Sequence, residues 1–208
     1  MYTPKHFNLP ELALAQQLID QQPFALLIGP DAEGRSFVTH VPLVRGGAGE
    51  GGADWWLEGH MARANPHWPW LAAQRELLVV FNGPDAYVSP RHYESALAVP
   101  TWNYLAVHVH GELELIDDAA AKDALLKRLI ARHEPEYAPQ WRGLPEDFQH
   151  KLLGAIVGFR IRVRSIEAKA KVSQNRSAIE RARIHAHSQQ GTPDEQALAV
   201  WMQRLGLV

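Results

Sequence analysis

The segment Lys171-Val172-Ser173-Gln174-Asn175-Arg176 gathers two cations, a hydroxyl and two carboxamides within six residues. Such a donor-rich set holds an anion through charge and N–H geometry together. A second set, Gly59-His60-Met61-Ala62-Arg63-Ala64-Asn65-Pro66, places an imidazole, a guanidinium and a carboxamide just past an apolar strand pattern. Arginine there supplies charge and a bidentate fork at once. Each set also has a plainer use. Asn65-Pro66 reads as a helix start, with Asn as the cap and Pro in the first position, and a helix start itself attracts phosphate. Arg63 suits a surface ion pair, and Ser173 or Asn175 suits a helix cap. Thr39-His40 and Trp102-Asn103 stand at strand ends and complete the candidate residues.

Other chemistries find little support. His108 and His110 lie two apart on one strand face, but no HExxH is present, and a structural role is the simpler reading for each. His185 and His187 point to different sides of a helix. There is no Gly-x-Ser-x-Gly, and Ser89 sits in a turn between Val88 and Pro90. The carboxylates show no paired-acid pattern, so no catalytic residue and no metal site is assigned.

These residues are positioned by an alternating stretch, Thr101 to Ile116. Its odd positions Leu105, Val107, Val109, Gly111, Leu113 and Leu115 are nearly all aliphatic, and its even positions run from aromatic through imidazole to acidic. That period places one set on each face of a long central strand. Before it come an amphipathic helix over Pro10–Gln22 and strands over 24–28, 37–44 and 54–59. A helical turn or two follows over 66–74, then strands over 77–82 and 85–89 separated by a turn at Gly83-Pro84. The glycine-rich run Gly46–Gly52 reads as a loop tip. After the central strand come a helix over 117–133, a connector over 134–145, a short helix over 146–153 and a strand over 156–166. Two helices, 175–187 and 193–205, close the chain, joined by a connection longer than the three or four residues of a helix-turn-helix. On the last strand, Arg160, Arg162 and Arg164 read as a solvated face opposite Glu112 and Glu114.

The chain has 208 residues, 46% of them hydrophobic and 21% charged, enough to bury a core. Without cysteine, it forms no disulfide and no thiolate metal site. No run approaches the roughly 18 apolar residues of a membrane span, and the first residues lack the order of a signal peptide, so a cytoplasmic location is expected. A net charge of −2 leaves no global footprint for nucleic acid. Locally, 158–185 carries eight Lys/Arg against two acids. Six or seven strands with short turns and flanking helices suggest an antiparallel barrel.

Six blocks carry a more specific signal: the opening Met1–Phe7, Thr39-His40-Val41-Pro42-Leu43, Gly59–Pro66, Gly83–Pro90, Pro100–Tyr104 and Lys171–Arg176. In that order they resemble PaiB-type proteins, a family of FMN-binding negative transcriptional regulators. The resemblance implies an α+β, mainly β fold: an antiparallel split β-barrel of the flavin-reductase and pyridoxamine-phosphate-oxidase kind, with flanking helices and a C-terminal helix pair. It implies a split-barrel domain over 1–170 with a helical extension over 171–208, and a homodimer with FMN at the subunit interface. The residues that it marks for the cofactor are Arg63, Lys171, Ser173, Arg176, His60, Asn65, Thr39, His40, Trp102 and Asn103. Trp102 and Asn103 suit stacking on and hydrogen bonding to the isoalloxazine, or packing at the dimer seam. A flavin-dependent oxidoreductase without DNA binding is the alternative. Direct DNA reading has little support, because the last helix, with Leu198, Val200, Trp201 and Leu205 against Arg204 alone, is built for packing.

Overall fold

The computed structural model describes residues 1–47, 55–74 and 76–208. Its helices are α1 (Leu12–Gln21), α2 (His67–Gln74), α3 (Ala119–His133), α4 (Ala138–Gly143), α5 (Glu146–Gly154), α6 (Ala178–Ser188) and α7 (Pro193–Arg204). Its strands are β1 (Phe24–Pro30), β2 (Ser36–Pro42), β3 (Val44–Gly47), β4 (Trp55–Ala62), β5 (Glu76–Val88), β6 (Thr101–Ile116) and β7 (Ile156–Lys171). The sheet order is β2-β1-β5-β6-β7-β4-β3. The chain divides into a larger unit, 16–81 with 108–166, and a smaller one, 1–15 with 82–107 and 167–208. Residues 167–208 belong to the same unit as the start of β6.

In the larger unit, β1 and β2 pair antiparallel from Phe24↔Pro42 to Pro30↔Ser36. The turn between them is tied by the Asp31 carboxylate, which accepts from Glu33 N at 2.9 Å and Arg35 N at 2.8 Å. Gly34 supplies the left-handed residue there, at φ 80°. β3 pairs with β4, and β4 with β7, both antiparallel. Leu57, Phe159, Ile161, Val109 and Leu113 point into the core, and α3 sets Leu125 and Leu129 against Val44. Asp118 caps α3 by accepting from Ala121 N at 2.9 Å.

One carboxylate organises the charges of this unit. Glu58 is 1% exposed and accepts from Arg160 Nη2 at 2.6 Å and Arg128 Nε at 2.7 Å. A buried carboxylate persists only with partners of this kind. Arg160 also lies over the Trp56 ring at 4.5 Å. The cross-strand pairs read from the sequence are present, Arg162–Glu114 at 2.9 Å and Arg164–Glu112 at 2.7 Å.

In the smaller unit, α6 and α7 each begin with a complete capping box, Ser177 with Glu180 and Thr192 with Glu195. The α6 cap is thus Ser177 and neither Ser173 nor Asn175. Ile184, Leu198, Trp201 and Met202 are buried, and the Arg181 side chain donates to the carbonyls of Arg176 and Leu207.

Several boundaries differ from the sequence reading. Gly83-Pro84 is no turn: β5 runs through it. The buried positions change from odd (Leu77, Val79, Phe81) to even (Pro84, Ala86, Val88) across Asn82-Gly83, a change of phase that glycine in a strand permits. β7 continues past Ile166 to Lys171, through an Ala/Glu/Lys run of poor strand propensity. Pairing decides there, since Leu9 N donates to Ala168 O at 3.0 Å and Asn8 bridges Lys169. The 134–145 connector holds a 3-10 turn and α4. Because α6 extends to Ser188, the join to α7 is the four residues 189–192, within helix-turn-helix length after all. The glycine loop tip lies largely outside the described residues.

Gly111, on the buried face of β6, has no room for a side chain. A Cβ would stand 2.6 Å from Ile161 Cγ2 and 2.7 Å from the Arg162 carbonyl oxygen, and backbone cannot step aside cheaply. Gly111→Ala is expected to cost about 1–3 kcal/mol in urea denaturation. Gly143→Ala, which meets nothing within 4 Å, should leave the midpoint essentially in place. Equal stability of the two variants would contradict this packing.

Candidate functional site

A groove of about 620 Å³ lies in the smaller unit, within the range of small-molecule and cofactor sites. β5 and β6 bring Tyr87 and Trp102 to its wall, edge to face with centroids 6.1 Å apart. Both are half exposed, at 52% and 54%, an unusual placement for large aromatic rings unless something covers them. The opposite wall is Arg91, His92 and His187. Arg91 Nη2 lies 3.0 Å from His187 Nε2, and its Nε donates to His92 Nε2 at 3.4 Å. The two imidazoles are tilted, with centroids 4.9 Å apart. Burial, then the nearby His187 and Arg91, hold the His92 pKa below its usual value.

Beneath this wall, Asn103 is 2% exposed and its Oδ1 accepts from Ser173 Oγ at 3.1 Å. Ser173 adopts φ 66°, the left-handed region that a non-glycine residue enters only when its surroundings hold it there. This bond and the Val172 N to Gln174 Oε1 bond at 2.8 Å fix the turn leaving β7. The turn carries Arg176 onto the face of Tyr93, 3.7 Å from the ring centroid.

Two lysines follow each other on one side of β7. Lys169 is 7% exposed, donates to Tyr2 O at 3.1 Å, and lies 5.0 Å from the Tyr104 ring centroid. Lys171 is half-buried and donates to the Thr101 hydroxyl. Its pKa is depressed, first by burial and then by the neighbouring ammonium of Lys169, with Tyr104 acting the other way. Among the described residues neither ammonium forms an ion pair.

The remaining candidates lie in the larger unit. Thr39, Asn65 and His67 form a knot: Thr39 Oγ1 is 2.8 Å from His67 Nδ1, Asn65 Nδ2 donates to Thr39 Oγ1 at 3.2 Å, and Asn65 Oδ1 accepts from His67 N at 2.9 Å. Asn65 thus caps the start of α2, as its sequence position suggests. Arg63 donates through Nε to Gly154 O at 2.9 Å and through Nη2 to Ile156 O at 3.1 Å and to the Asp117 carboxylate. Its fork is committed to protein partners. His60 lines an apolar cavity of about 320 Å³ beside Leu126 and Tyr137. His40 is exposed and stacks on Phe24 with centroids 6.0 Å apart.

Thus Trp102, Asn103, Lys171, Ser173 and Arg176 share the smaller unit, while Thr39, His40, His60, Arg63 and Asn65 share the larger. Sequence reasoning missed Lys169, whose signal was its two-residue spacing from Lys171. It also missed the Tyr87–Arg91–His92–His187 wall, which comes from three separate segments and has no spacing signal. The arrangement can stack a planar ring and hold an anion. No serine or threonine of the groove makes a nucleophile–base hydrogen bond among the described residues.

Residues 1–165 match the family described as "Putative FMN-binding domain". The Bacillus subtilis protein named protease synthase and sporulation protein PAI 2 is 32% identical over 179 residues, 85% of this chain and 84% of that protein. The flavocytochrome Anf3 of Azotobacter vinelandii superposes with a TM-score of 0.63 at 19% identity, over 81% of this chain and 72% of that one. The FAD- and heme-binding protein of Mycobacterium smegmatis gives 0.52 at 20% identity, over 75% and 69%. Such identities speak to fold alone, and the fold is the expected mainly β, antiparallel split barrel with helices.

Burial lowers the pKa of His60 and His67 as well as His92. With a folded-state pKa below that of the unfolded chain, nothing is lost above about pH 6.5, where both states are neutral. Below it the unfolded chain takes up protons first, so stability falls. The urea midpoint should drop between about pH 7.5 and about pH 5.5, above the range where carboxylates titrate. A flat or rising midpoint would contradict the buried, neutral imidazoles.

Proposed function

The chain belongs to the FMN-binding domain family, and from that premise we propose that it is a flavin-binding regulator working as a homodimer. FMN is its cofactor. The residues of the smaller unit fit that group by their chemistry: two exposed aromatic faces for a planar ring, Asn103 and Ser173 beneath them, and two lysines, Lys169 and Lys171, without carboxylate partners among the described residues. The observation that carries the reading is the Tyr87–Trp102 pair standing half exposed at a groove of about 620 Å³. Bound there, FMN would supply electron- and hydride-transfer chemistry; Trp102 would orient the ring and Lys171 would hold charge.

The homodimer is supported by apolar exposure in the same segment, where Leu97 is 97% and Val99 73% exposed beside Trp102. Exposed apolar patches of this kind mark contact surfaces. Regulation through flavin occupancy, or through a partner protein that reads it, fits better than operator reading. Although the α6–α7 join has helix-turn-helix length, α7 buries Leu198, Ala199, Trp201 and Met202, and its Arg204 lies over Trp201 at 5.1 Å. A helix used in this way presents few base-reading side chains.

The purified protein is expected to be yellow, to release FMN on denaturation, and to run at twice the 23.3 kDa of its chain in light scattering. Trp102→Ala should weaken flavin retention by roughly tenfold or more, the order of about 1–3 kcal/mol seen when an aromatic stacking partner is lost. Unchanged occupancy in Trp102→Ala would remove the groove from the reading. Rapid NADH or NADPH oxidation by the holoprotein would favour the oxidoreductase. Salt-sensitive retention of a promoter fragment would restore DNA binding.

A further inference from the structure

We propose that Lys169 and Lys171, with the Thr101 hydroxyl, form a binding site for a phosphate monoester, and that the phosphate of FMN is its occupant. The inference rests on the flavin reading for the identity of the occupant, but its physical basis is independent of it.

Lysine is rarely buried unless an anion or an equivalent partner accompanies it. Here two ammonium groups stand on one side of β7, Lys169 at 7% exposure and Lys171 half-buried. Neither has an ion-pair partner among the described residues. Glu167, the next residue along that side, accepts from the α-amino group of Met1. Lys169 is made tolerable by the rings of Tyr2 and Tyr104, 5.9 Å and 5.0 Å from its Nζ. Lys171 has no such ring stacking among the described residues, and only the Thr101 hydroxyl as hydrogen-bond acceptor.

Each ammonium carries three N–H groups, and among the described residues each makes one hydrogen bond, Lys169 to Tyr2 O and Lys171 to Thr101 Oγ1. Two donors therefore remain on each. A phosphate monoester carries about two negative charges near neutral pH and three strong acceptor oxygens, which matches two cations and a hydroxyl in both charge and count. A carboxylate would neutralise only one of the two. The site lies in the same unit as the groove, and the flavin reading names the source.

The test measures the affinities of FMN and riboflavin by flavin fluorescence, and the thermal shift given by inorganic phosphate. The proteins are the native chain, Lys171→Gln, Lys171→Arg and Lys169→Gln, with melting curves confirming that each is folded. Native protein should prefer FMN to riboflavin by at least roughly tenfold, as charge-assisted bonds to a phosphate require. Lys171→Gln should abolish that preference by weakening FMN alone, and Lys171→Arg should keep most of it. An FMN-to-riboflavin ratio unchanged in Lys171→Gln would overturn the assignment even if flavin binds well. Should native protein bind neither flavin, the flavin reading falls by itself, and the phosphate arm decides the site. Stabilisation of native protein by phosphate, absent in Lys171→Gln, would uphold a monoester site with another source; no stabilisation would overturn it. If Lys169→Gln does not fold, the Lys171 pair of variants carries the comparison.

Discussion

A serine held in a left-handed conformation by one buried hydrogen bond sets the chemistry of the smaller unit. Ser173 reaches Asn103 at 3.1 Å, and a φ of 66° is the backbone cost of that reach. Such strain persists only where the surroundings over-determine it. Here those surroundings are both chain ends of the site: β6 on one side, and the turn that leaves β7 on the other. The bond fixes where β7 stops, so that Lys171 meets Thr101, Arg176 meets Tyr93, and Ser177 starts α6. A glycine at 173 would relieve the φ and lose the hydroxyl that justifies it.

The two units treat several of their cations in opposite ways. In the larger, cations are paired: Glu58 draws in Arg128 and Arg160, and Asp117 draws in Arg63 and Lys122. In the smaller, Lys169 and Lys171 rest on rings, a carbonyl and a hydroxyl, groups that soften a cation without neutralising it. That difference separates residues with similar sequence signatures. Arg63 and Lys171 both sit in donor-rich blocks, yet the guanidinium is bound to two carbonyls and a carboxylate, while the ammonium meets a hydroxyl and, among the described residues, no carboxylate. Exposed aromatic faces at Tyr87 and Trp102 add the apolar half of a site for a phosphorylated ring.

Much of this was legible in the chain. The alternation of Thr101–Ile116 predicted the bounds of β6 and its buried face as far as Leu113, with Leu115 exposed, because a strand buried on one face writes its period into sequence. The Arg162–Glu114 and Arg164–Glu112 pairs followed from the same logic. Elsewhere local signals failed for physical reasons. Ser165–Lys171 reads as a poor strand, and only its pairing with the N-terminal segment makes it one. Gly83-Pro84 carries turn chemistry that a strand with a phase change absorbs. The wall of Arg91, His92 and His187 joins a 3-10 turn to a helix almost a hundred residues away, and no spacing rule announces such a meeting. Membership of the family was visible from ordered blocks, but which of their residues keep free donors was a matter of three-dimensional pairing.

The most direct test of the account is the titration of the Lys171 ammonium, followed by nitrogen-detected NMR in the protein alone, with riboflavin, and with FMN. Alone, it should lose its proton below the usual lysine value of 10.5, because burial and Lys169 oppose its charge. FMN should move that titration upward by placing a phosphate beside the ammonium, and riboflavin should leave it in place. An ordinary lysine titration in the free protein, or the same response to both flavins, would contradict the account.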